Sequence, residues 1–178
     1  MILGGDEILK KVKEKELVKN LSERELEKPE GPGFDLRVDE VYQIAGGGFL
    51  GLEERKTPMS ELAASRKEGD RFYILNPDDF VLIRTIEEVN IDKQTFARIF
   101  ARSTLFRSGV MLMSGKVSPG YYGKLTFGLK NVGPAKFKFE LGARVAFIVF
   151  SEIKGKSSLS RGQWKGGRVS ADDLEAQV

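Results

Sequence analysis

From Phe34 onward the chain alternates apolar and polar residues with a period of two, which is typical of β-strands that bury one face. Seven segments show the pattern, at residues 34–38, 71–75, 80–84, 95–100, 125–129, 136–139 and 144–148. Turn-forming residues separate them, at 76–79, 118–120 and 131–134. Many short strands at this spacing predict a mainly β fold: a sandwich, a jelly roll or a barrel.

The residues before Phe34 follow a helical spacing instead. Apolar residues recur among charges from Asp6 to about Leu21, which predicts a short amphipathic helix with Asp6 as a candidate N-cap. The glycines and prolines of residues 28–33 end that pattern. Residues 59–66 could add one or two further helical turns.

Composition excludes several kinds of chemistry. The chain has 178 residues, enough for one domain, and it contains neither Cys nor His. Without these residues, it cannot form a disulfide, a Ser-His-Asp triad, a zinc-thiolate site or the zinc centre of the nucleobase deaminases. A bound metal would have to be a hard cation held by oxygen atoms, and Mg²⁺ is the expected one.

The longest apolar run, residues 145–150, is too short to cross a bilayer. The first eleven residues place acids and lysines where a signal peptide needs apolar residues. We therefore expect a cytoplasmic protein with no membrane partner. A single-stranded nucleic-acid ligand is also not expected, since only Trp164 and the Tyr121-Tyr122 pair offer candidate stacking faces.

The C-terminal segment differs in composition from the rest of the chain. Net charge is +3, and residues 155–168 carry four Lys or Arg and no acid. We therefore divide the chain into a β domain with its N-terminal helix, residues 1–154, and a flexible basic arm, residues 155–178. The arm is either a frayed terminus or a mobile lid that closes over an anionic ligand, with Trp164 as a stacking face.

Two sets of residues could carry chemistry. Arg102, Ser103, Thr104 and Arg107 combine guanidinium forks with hydroxyls, as a phosphate cradle would. The alternative is a pair of surface arginines with a helix cap at Ser103 or Thr104. Asp35, on the first predicted strand, could orient a hydrated Mg²⁺, or it could be a structural residue that pairs with Arg37 or caps a turn.

Taken in order, the motifs GFDLRV, ARSTLFR, VSPGYYGKLTFGLKN, LGARVAFIVF and RGQWKGG resemble the dUTPase and dCTP deaminase superfamily. The resemblance runs from about residue 33 to residue 168. It is strongest to archaeal-type dCTP-deaminase-like dUTPases. The resemblance implies a distorted β jelly roll, the dUTPase-like β-clip barrel, in a homotrimer whose active sites are shared between subunits.

The same resemblance assigns roles to individual residues. It implies nucleotide binding, with the phosphates on the candidate cradle, the pyrimidine on the backbone of residues 115–118, the deoxyribose on Tyr121, and closure by the arm. Asp35 resembles the acid near the family's metal site, and Mg²⁺ is the implied cofactor. The implied nucleotide ligands are Arg102, Ser103, Thr104, Arg107, Gly115, Val117, Tyr121, Arg161, Gln163, Trp164 and Lys165; the implied catalytic residues are Ser118, Asp35 and Arg107.

Three positions depart from the family pattern. Ser118 stands where dUTPases carry the Asp that activates water, and serine is far less basic. Gly128 stands where dCTP deaminases carry the Glu that moves protons at the cytosine amine. Phe147 replaces a glutamine that often follows the GxRxA pattern.

The resemblance therefore predicts a Mg²⁺-dependent nucleotidohydrolase that converts dUTP to dUMP and pyrophosphate, at a rate lowered by Ser118. Asp35, or Glu140 or Asp92 of a neighbouring subunit, could then position the water. The alternatives are a non-catalytic deoxynucleotide-binding homologue and a dCTP deaminase. The expected ligand is a deoxypyrimidine triphosphate: dUTP first, with dCTP and dTTP as further candidates.

Overall fold

The structure is a computed structural model, and it describes residues 1–177. The strands are β1 (Val18–Lys19), β2 (Gly33–Ala45), β3 (Phe49–Leu50), β4 (Glu54–Lys56), β5 (Met59–Ser65), β6 (Phe72–Leu75), β7 (Phe80–Asn90), β8 (Thr95–Ala101), β9 (Val110–Met113), β10 (Lys116–Val117), β11 (Tyr122–Asn131), β12 (Phe137–Glu140), β13 (Arg144–Glu152) and β14 (Glu175–Ala176). The α-helices are α1 (Gly5–Lys15), α2 (Glu23–Glu27) and α3 (Ser103–Arg107), and a 3-10 turn spans Arg66–Glu68.

Strand β2 connects the two halves of the main sheet. Residues 33–37 pair with β13, and residues 38–42 pair with β7. The register with β7 shifts between Val38 and Glu40, and such irregularities bend a strand and increase its twist. The curled sheet follows the order β10-β8-β13-β2-β7-β11-β9, with β5 beside β2 and β1 beside β7.

The core fills the inside of this curl. Strand β7 shows the alternation most clearly, because its odd-numbered residues from Val81 to Val89 are buried and its even-numbered ones are half-buried or exposed. Phe34 of β2 packs edge-on against Phe150 of β13, with ring centroids 6.1 Å apart. Helix α1 adds Ile8, which is fully buried. The mainly β fold with a short N-terminal helix is therefore confirmed.

All seven predicted strands coincide with observed strands to within one residue at their starts or lie inside them. Five of them are longer than predicted: β2, β7, β8, β11 and β13. Strand β7 continues to Asn90, and its second half buries the polar residues Thr85 and Glu87. Because these two buried residues are polar, the sequence shows no alternation of apolar and polar residues over this half of the strand. Within residues 1–177, no helix has the length and apolar character needed to cross a bilayer.

The predicted helix over residues 6–21 is too long. Helix α1 ends at Lys15, and Glu16 takes a left-handed conformation with φ of 51°. Leu17 and Val18 are then buried in an extended segment that pairs with β7. The N-cap is Gly4 rather than Asp6, which lies inside the first turn. Pairing with the sheet thus replaces the last helical turns.

The helical turn proposed for residues 59–66 is also wrong over most of its length. Met59–Ser65 form strand β5, which pairs with β2, and helical geometry is confined to Arg66–Glu68. Local propensity favours a helix here, because Met, Glu, Leu and Ala are strong helix formers. Pairing with β2 overrides that preference.

Strands β10 and β11, on either side of the turn at residues 118–120, do not pair with each other. Strand β10 pairs with β8, whereas β11 pairs with β7 and β9. The turn at Ser118-Pro119-Gly120 therefore carries the chain from one half of the curled sheet to the other.

Candidate functional site

A cavity of about 540 Å³ lies between three parts of the molecule. The first is the backbone around the turn, residues 115–121, which we call the turn segment. The second is the sheet face at Ile44, Phe80, Leu82 and Thr126, and the third is the arm, from Ser160 to Val169. A cavity of this size accommodates a small organic ligand.

Neighbouring backbone fixes the turn segment. Gly120 has φ of +81° and donates its N–H to the carbonyl of Ile91 at 2.7 Å, while the N–H of Ile91 donates to the carbonyl of Tyr121 at 2.9 Å. The Tyr121 hydroxyl donates to the carbonyl of Lys124 at 2.6 Å. Burial raises the pKa of Tyr121 to about 12, so this phenol is neutral at physiological pH.

The arm crosses the start of β11 at very close range. The N–H of Gly166 donates to the carbonyl of Tyr122 at 2.8 Å. Gly123 has φ of +110°, and a Cβ there would lie 2.7 Å from the backbone carbonyl carbon of Gly166. Only glycine fits such a crossing, so the sequence at Gly123 is adapted to an arm that lies over it.

Charge contacts hold the far end of the arm. Glu175 accepts hydrogen bonds from Arg168 at 2.7 Å and from Arg55 at 2.9 Å. The Arg55 guanidinium carbon also lies 4.6 Å from the ring centroid of Trp164, and that of Arg168 lies 5.5 Å from it. The hydrogen bond from Arg168 is the main cause that lowers the pKa of Glu175 below its ordinary value.

A short sheet adds backbone contacts to this closure. Strand β14, near the end of the arm, pairs with β4, and β4 pairs with β3. Thr57 and Ala171 also bond reciprocally, because each backbone N–H donates to an oxygen of the other residue. Ala171 is fully buried as a result. These hydrogen bonds hold the arm over the cavity in the folded chain. The predicted flexibility of the arm stays a prediction.

The structure brings together only some of the residues that the sequence proposed. The cavity is lined by five of them: Gly115, Val117, Ser118, Tyr121 and Trp164. The other proposed ligands lie outside its lining: Asp35, Arg102, Ser103, Thr104, Arg107, Arg161, Gln163 and Lys165. Gln163 instead donates to the carbonyl of Ala176 at 2.9 Å, a contact within the arm.

The candidate phosphate cradle surrounds helix α3 and faces away from the core. Ser103, Thr104 and Arg107 are exposed, while Leu105 anchors the helix in the core. The suggested cap at Ser103 or Thr104 is wrong, because the N-cap position belongs to Arg102 and no side chain bonds there. The cradle and the turn segment therefore do not share a cavity within one chain.

Asp35 lies at the centre of a group of three arginines. Its Oδ1 accepts from Arg102 at 2.6 Å, and its Oδ2 accepts from Arg144 at 2.8 Å and from Arg24 at 3.2 Å. The carboxylate is only 1% exposed, whereas the three guanidiniums reach solvent. The proposed pairing with Arg37 is wrong, since Arg37 bonds to Glu87 at 2.6 Å.

This arrangement does not fit the predicted metal ligand. Mg²⁺ needs accessible oxygen ligands, and both oxygens of Asp35 already accept from guanidiniums. A cation beside three arginines would also be repelled. Across residues 1–177, no three acidic side chains converge as a metal-binding group. Asp35 instead positions Arg102 at the start of the cradle.

The sequence reasoning missed most of the cavity wall. Phe80 and Leu82 lie in a predicted strand that was given no role in ligand binding, and Ile44 lies beyond the end of its predicted strand. Arg168 was counted only as part of a basic run. Thr126 was missed as well, although its Oγ1 is buried in the structure with no hydrogen-bond partner. The alternation along β7 is the sequence signal that could have identified Phe80 and Leu82. Both lie on the strand face opposite the buried odd-numbered residues.

The fold is similar to that of a solved structure. The dCTP deaminase of Agrobacterium tumefaciens aligns with 86% of this chain at a TM-score of 0.64 and 14% identity. This chain covers 46% of that protein's length. At this identity the likeness concerns the fold alone, and it supports the predicted jelly-roll architecture.

Sequence similarity gives a closer relationship. A family model described as dCTP deaminase-like matches residues 2–153. A protein of Halorubrum lacusprofundi named dCTP deaminase is 29% identical over 97% of this chain and 88% of its own length. A protein of Aeropyrum pernix named probable deoxyuridine 5'-triphosphate nucleotidohydrolase is 32% identical over 75% of this chain and 82% of its own length.

The Asp35 cluster predicts a stability effect. Asp35→Asn should lower the free energy of unfolding by about 3 kcal/mol, the lower end for a broken buried ion pair, because the freed guanidiniums reach solvent. Asp78→Asn is the matched control, since the Asp78 side chain is 95% exposed; it should cost under about 0.5 kcal/mol. Urea unfolding of both variants measures the difference, and equal stabilities would contradict the structural role of Asp35.

The contacts of Glu175 predict a pH effect on the arm. The lowered pKa of Glu175 means that its contribution is fully present above its ordinary value of 4.5 and is lost as pH falls through the lowered pKa. Trp164 fluorescence should therefore change below pH 4.5. Glu175→Gln should remove that change, whereas Glu53→Gln, an exposed control, should keep it. Identical profiles for all three proteins would refute the contact's role.

Proposed function

Because this chain belongs to the dCTP deaminase-like family, we propose that it binds deoxyuridine triphosphate and hydrolyses it to dUMP and pyrophosphate. Water is added across the bond between the α- and β-phosphates, and a proton is released. The proposal places the pyrimidine in the cavity, against the backbone of the turn segment and beneath the arm.

The observation that carries the proposal is the chemistry of the cavity. Its polar side chains are hydroxyls and cations, among them Thr57, Ser118, Thr126, Lys116 and Arg168. These groups donate hydrogen bonds, as a base with carbonyl oxygens and a phosphate tail require. Among the residues of 1–177 that line the cavity, none is Asp or Glu.

This composition disfavours deamination. Removing the amine of cytosine needs a group that takes up and delivers protons, and the family position for that group is Gly128. A Cβ on Gly128 would lie 2.8 Å from the Phe80 ring. The space for an acidic side chain is therefore filled, and dCTP deaminase remains the less favoured alternative.

The missing base for hydrolysis has candidates outside the cavity. Asp92 follows Ile91, which bonds to the turn segment. Burial of Asp92 opposes its ionisation, but hydrogen bonds from Thr95, Lys11 and Lys15 outweigh burial and lower its pKa. Such a carboxylate is a weak base. Asp35 is held by its arginines, and Glu140 is exposed on β12.

A homotrimer forms part of the proposal. Since the cradle at α3 does not border the cavity of its own chain, a neighbouring copy would bring its Arg102, Ser103, Thr104 and Arg107 to the triphosphate. The same contact could supply a carboxylate such as Glu140. Mg²⁺ is proposed as the cation of the triphosphate itself, since Asp35 does not fit a ligand for it.

A second function is favoured by Ser118. With serine at the water-activating position and no carboxylate in the described cavity lining, the protein could bind a deoxynucleotide without converting it. This non-catalytic homologue shares every binding contact with the hydrolase. Turnover is the measurement that separates the two.

Hydrolysis is tested by pyrophosphate release from dUTP and dCTP with Mg²⁺, with products separated by chromatography. We expect slow conversion of dUTP, and Ser118→Asp should accelerate it about 10²- to 10⁴-fold by restoring a general base. Ser114→Asp, outside the cavity lining, is the matched control and should not accelerate hydrolysis. Activity in the Ser118→Asp variant alone would favour the non-catalytic homologue, and uracil nucleotides formed from dCTP would establish deamination.

Deleting residues 156–178 tests the arm. The main core cluster lies wholly before Gly155, so the truncated chain should fold and melt cooperatively. Affinity for a non-hydrolysable dUTP analogue should fall, since Trp164 and Arg168 are lost from the cavity. Calorimetric titration measures this fall, and unchanged affinity would refute the role of the arm.

A further inference from the structure

Gly128 occupies the middle of strand β11, where glycine weakens a strand unless something requires it. Its backbone does not require it, because its φ lies outside the left-handed region. The side chains around Gly128 require the glycine instead. A Cβ would lie 2.8 Å from Cε2 and 3.0 Å from Cζ of Phe80, and 3.3 Å from Cβ of Met113. The glycine is thus matched to the aromatic ring that lies over it.

The same ring forms a wall of the cavity. Phe80 begins β7, and Leu82 lies two residues further along the same face. Tyr42 pairs with Leu82 in the register of β2 and β7, which places Ile44 level with Phe80. Phe80, Leu82 and Ile44 all border the cavity, and we call them the apolar wall. The wall replaces the acidic group that the family position would have supplied.

The apolar wall and the polar lining favour different parts of a pyrimidine. Hydroxyl and cationic side chains donate to a carbonyl oxygen, and the lining offers such donors at Thr57, Ser118 and Lys116. The amine of cytosine is a donor and gains most from a carboxylate, which the described lining lacks. An amine that packs against the Phe80 ring loses its hydrogen bonds to water, and the ring offers no acceptor in their place. A methyl group in the same place buries apolar surface instead.

We propose that Phe80, seated over Gly128, determines the base specificity of the site: it selects pyrimidines with a carbonyl at position 4, accepts a 5-methyl group and rejects cytosine. This inference rests on the proposed nucleotide site and names its substrate class. Thymine nucleotides are therefore ligands at least as good as uracil nucleotides. Phe80 acts through shape and polarity, so it is a specificity-determining residue.

The test uses α,β-imido analogues of dUTP, dTTP and dCTP and the fluorescence of Trp164, the single tryptophan, which borders the cavity. In the chain without substitutions, the dUTP analogue should bind about tenfold more tightly than the dCTP analogue, because one buried amine is left unpaired. The dTTP analogue should bind up to about fourfold more tightly than the dUTP analogue, the gain expected for one buried methyl.

Phe80→Ala opens the wall to water, which can then accept from the amine. The preference for dUTP over dCTP should shrink about fivefold or more, which is most of the cost of an unpaired amine. The advantage of dTTP should disappear. Phe80→Leu should give an intermediate result and secures the test if the alanine variant is unstable. Phe72→Ala is the matched control, because Phe72 is 49% exposed outside the cavity lining, and it should leave all three affinities unchanged.

A double substitution tests the packing of the pair. Gly128→Ala alone should lower the melting temperature by forcing Phe80 to move, and Phe80→Ala should remove most of that penalty when the two changes are combined. Additive penalties would show that the ring does not explain the glycine and would overturn the proposal.

The binding results test the specificity role of Phe80 separately from the proposed function. Tight binding of dUTP with equal binding of dCTP overturns the specificity role and leaves the proposed function standing. Ratios that Phe80→Ala does not change also overturn it. Failure of all three analogues to bind the folded protein overturns the proposed function, and the specificity role falls with it.

Discussion

A single buried carboxylate ties together the parts of the chain that surround the candidate cradle. Asp35 of β2 bonds to Arg24 of α2, Arg102 at the start of α3 and Arg144 of β13. Removing a carboxylate from water is unfavourable unless cations and donors replace the solvent. The three guanidiniums supply both, and they can do so only if the N-terminal segment, the two strands and the cradle meet at one point. The position of Arg102 is therefore a consequence of burying Asp35.

The same strand organises the other face of the molecule. Beyond its bend, β2 carries Glu40, which bonds to Arg84 of β7, and Arg84 in turn donates to the carbonyl of Gly167 in the arm at 3.3 Å. Pairing with β13 at one end and with β7 at the other gives the sheet its curl. The curl places the turn segment, the face of β7 and the arm around one cavity, so that site geometry depends on the path of β2.

Two losses of acidic groups change what this cavity can do. Ser118 and Gly128 stand at positions where the resemblance implies carboxylates, one for water activation and one for proton transfer at an amine. The second loss is built into the packing, because Phe80 fills the space beside Gly128. The first is not, because Ser118 lines an open cavity. A change back to Asp at 118 therefore meets no packing barrier, whereas an acid at 128 requires a second change at Phe80.

The sequence by itself determined the mainly β fold, its seven principal strands, the family, and the residues of the turn segment, because alternation and motif order are local properties of the chain. The tertiary structure decided what depends on distant partners. Leu17 and Val18 leave the helical pattern to pair with β7, and β10 and β11 pair with other strands rather than with each other. Asp35 binds Arg24, Arg102 and Arg144 rather than Arg37, and Phe80 faces Gly128 from another strand. These contacts join residues up to 109 positions apart. The spacing of residues along the chain does not indicate which distant partner a buried charge or an aromatic ring will contact.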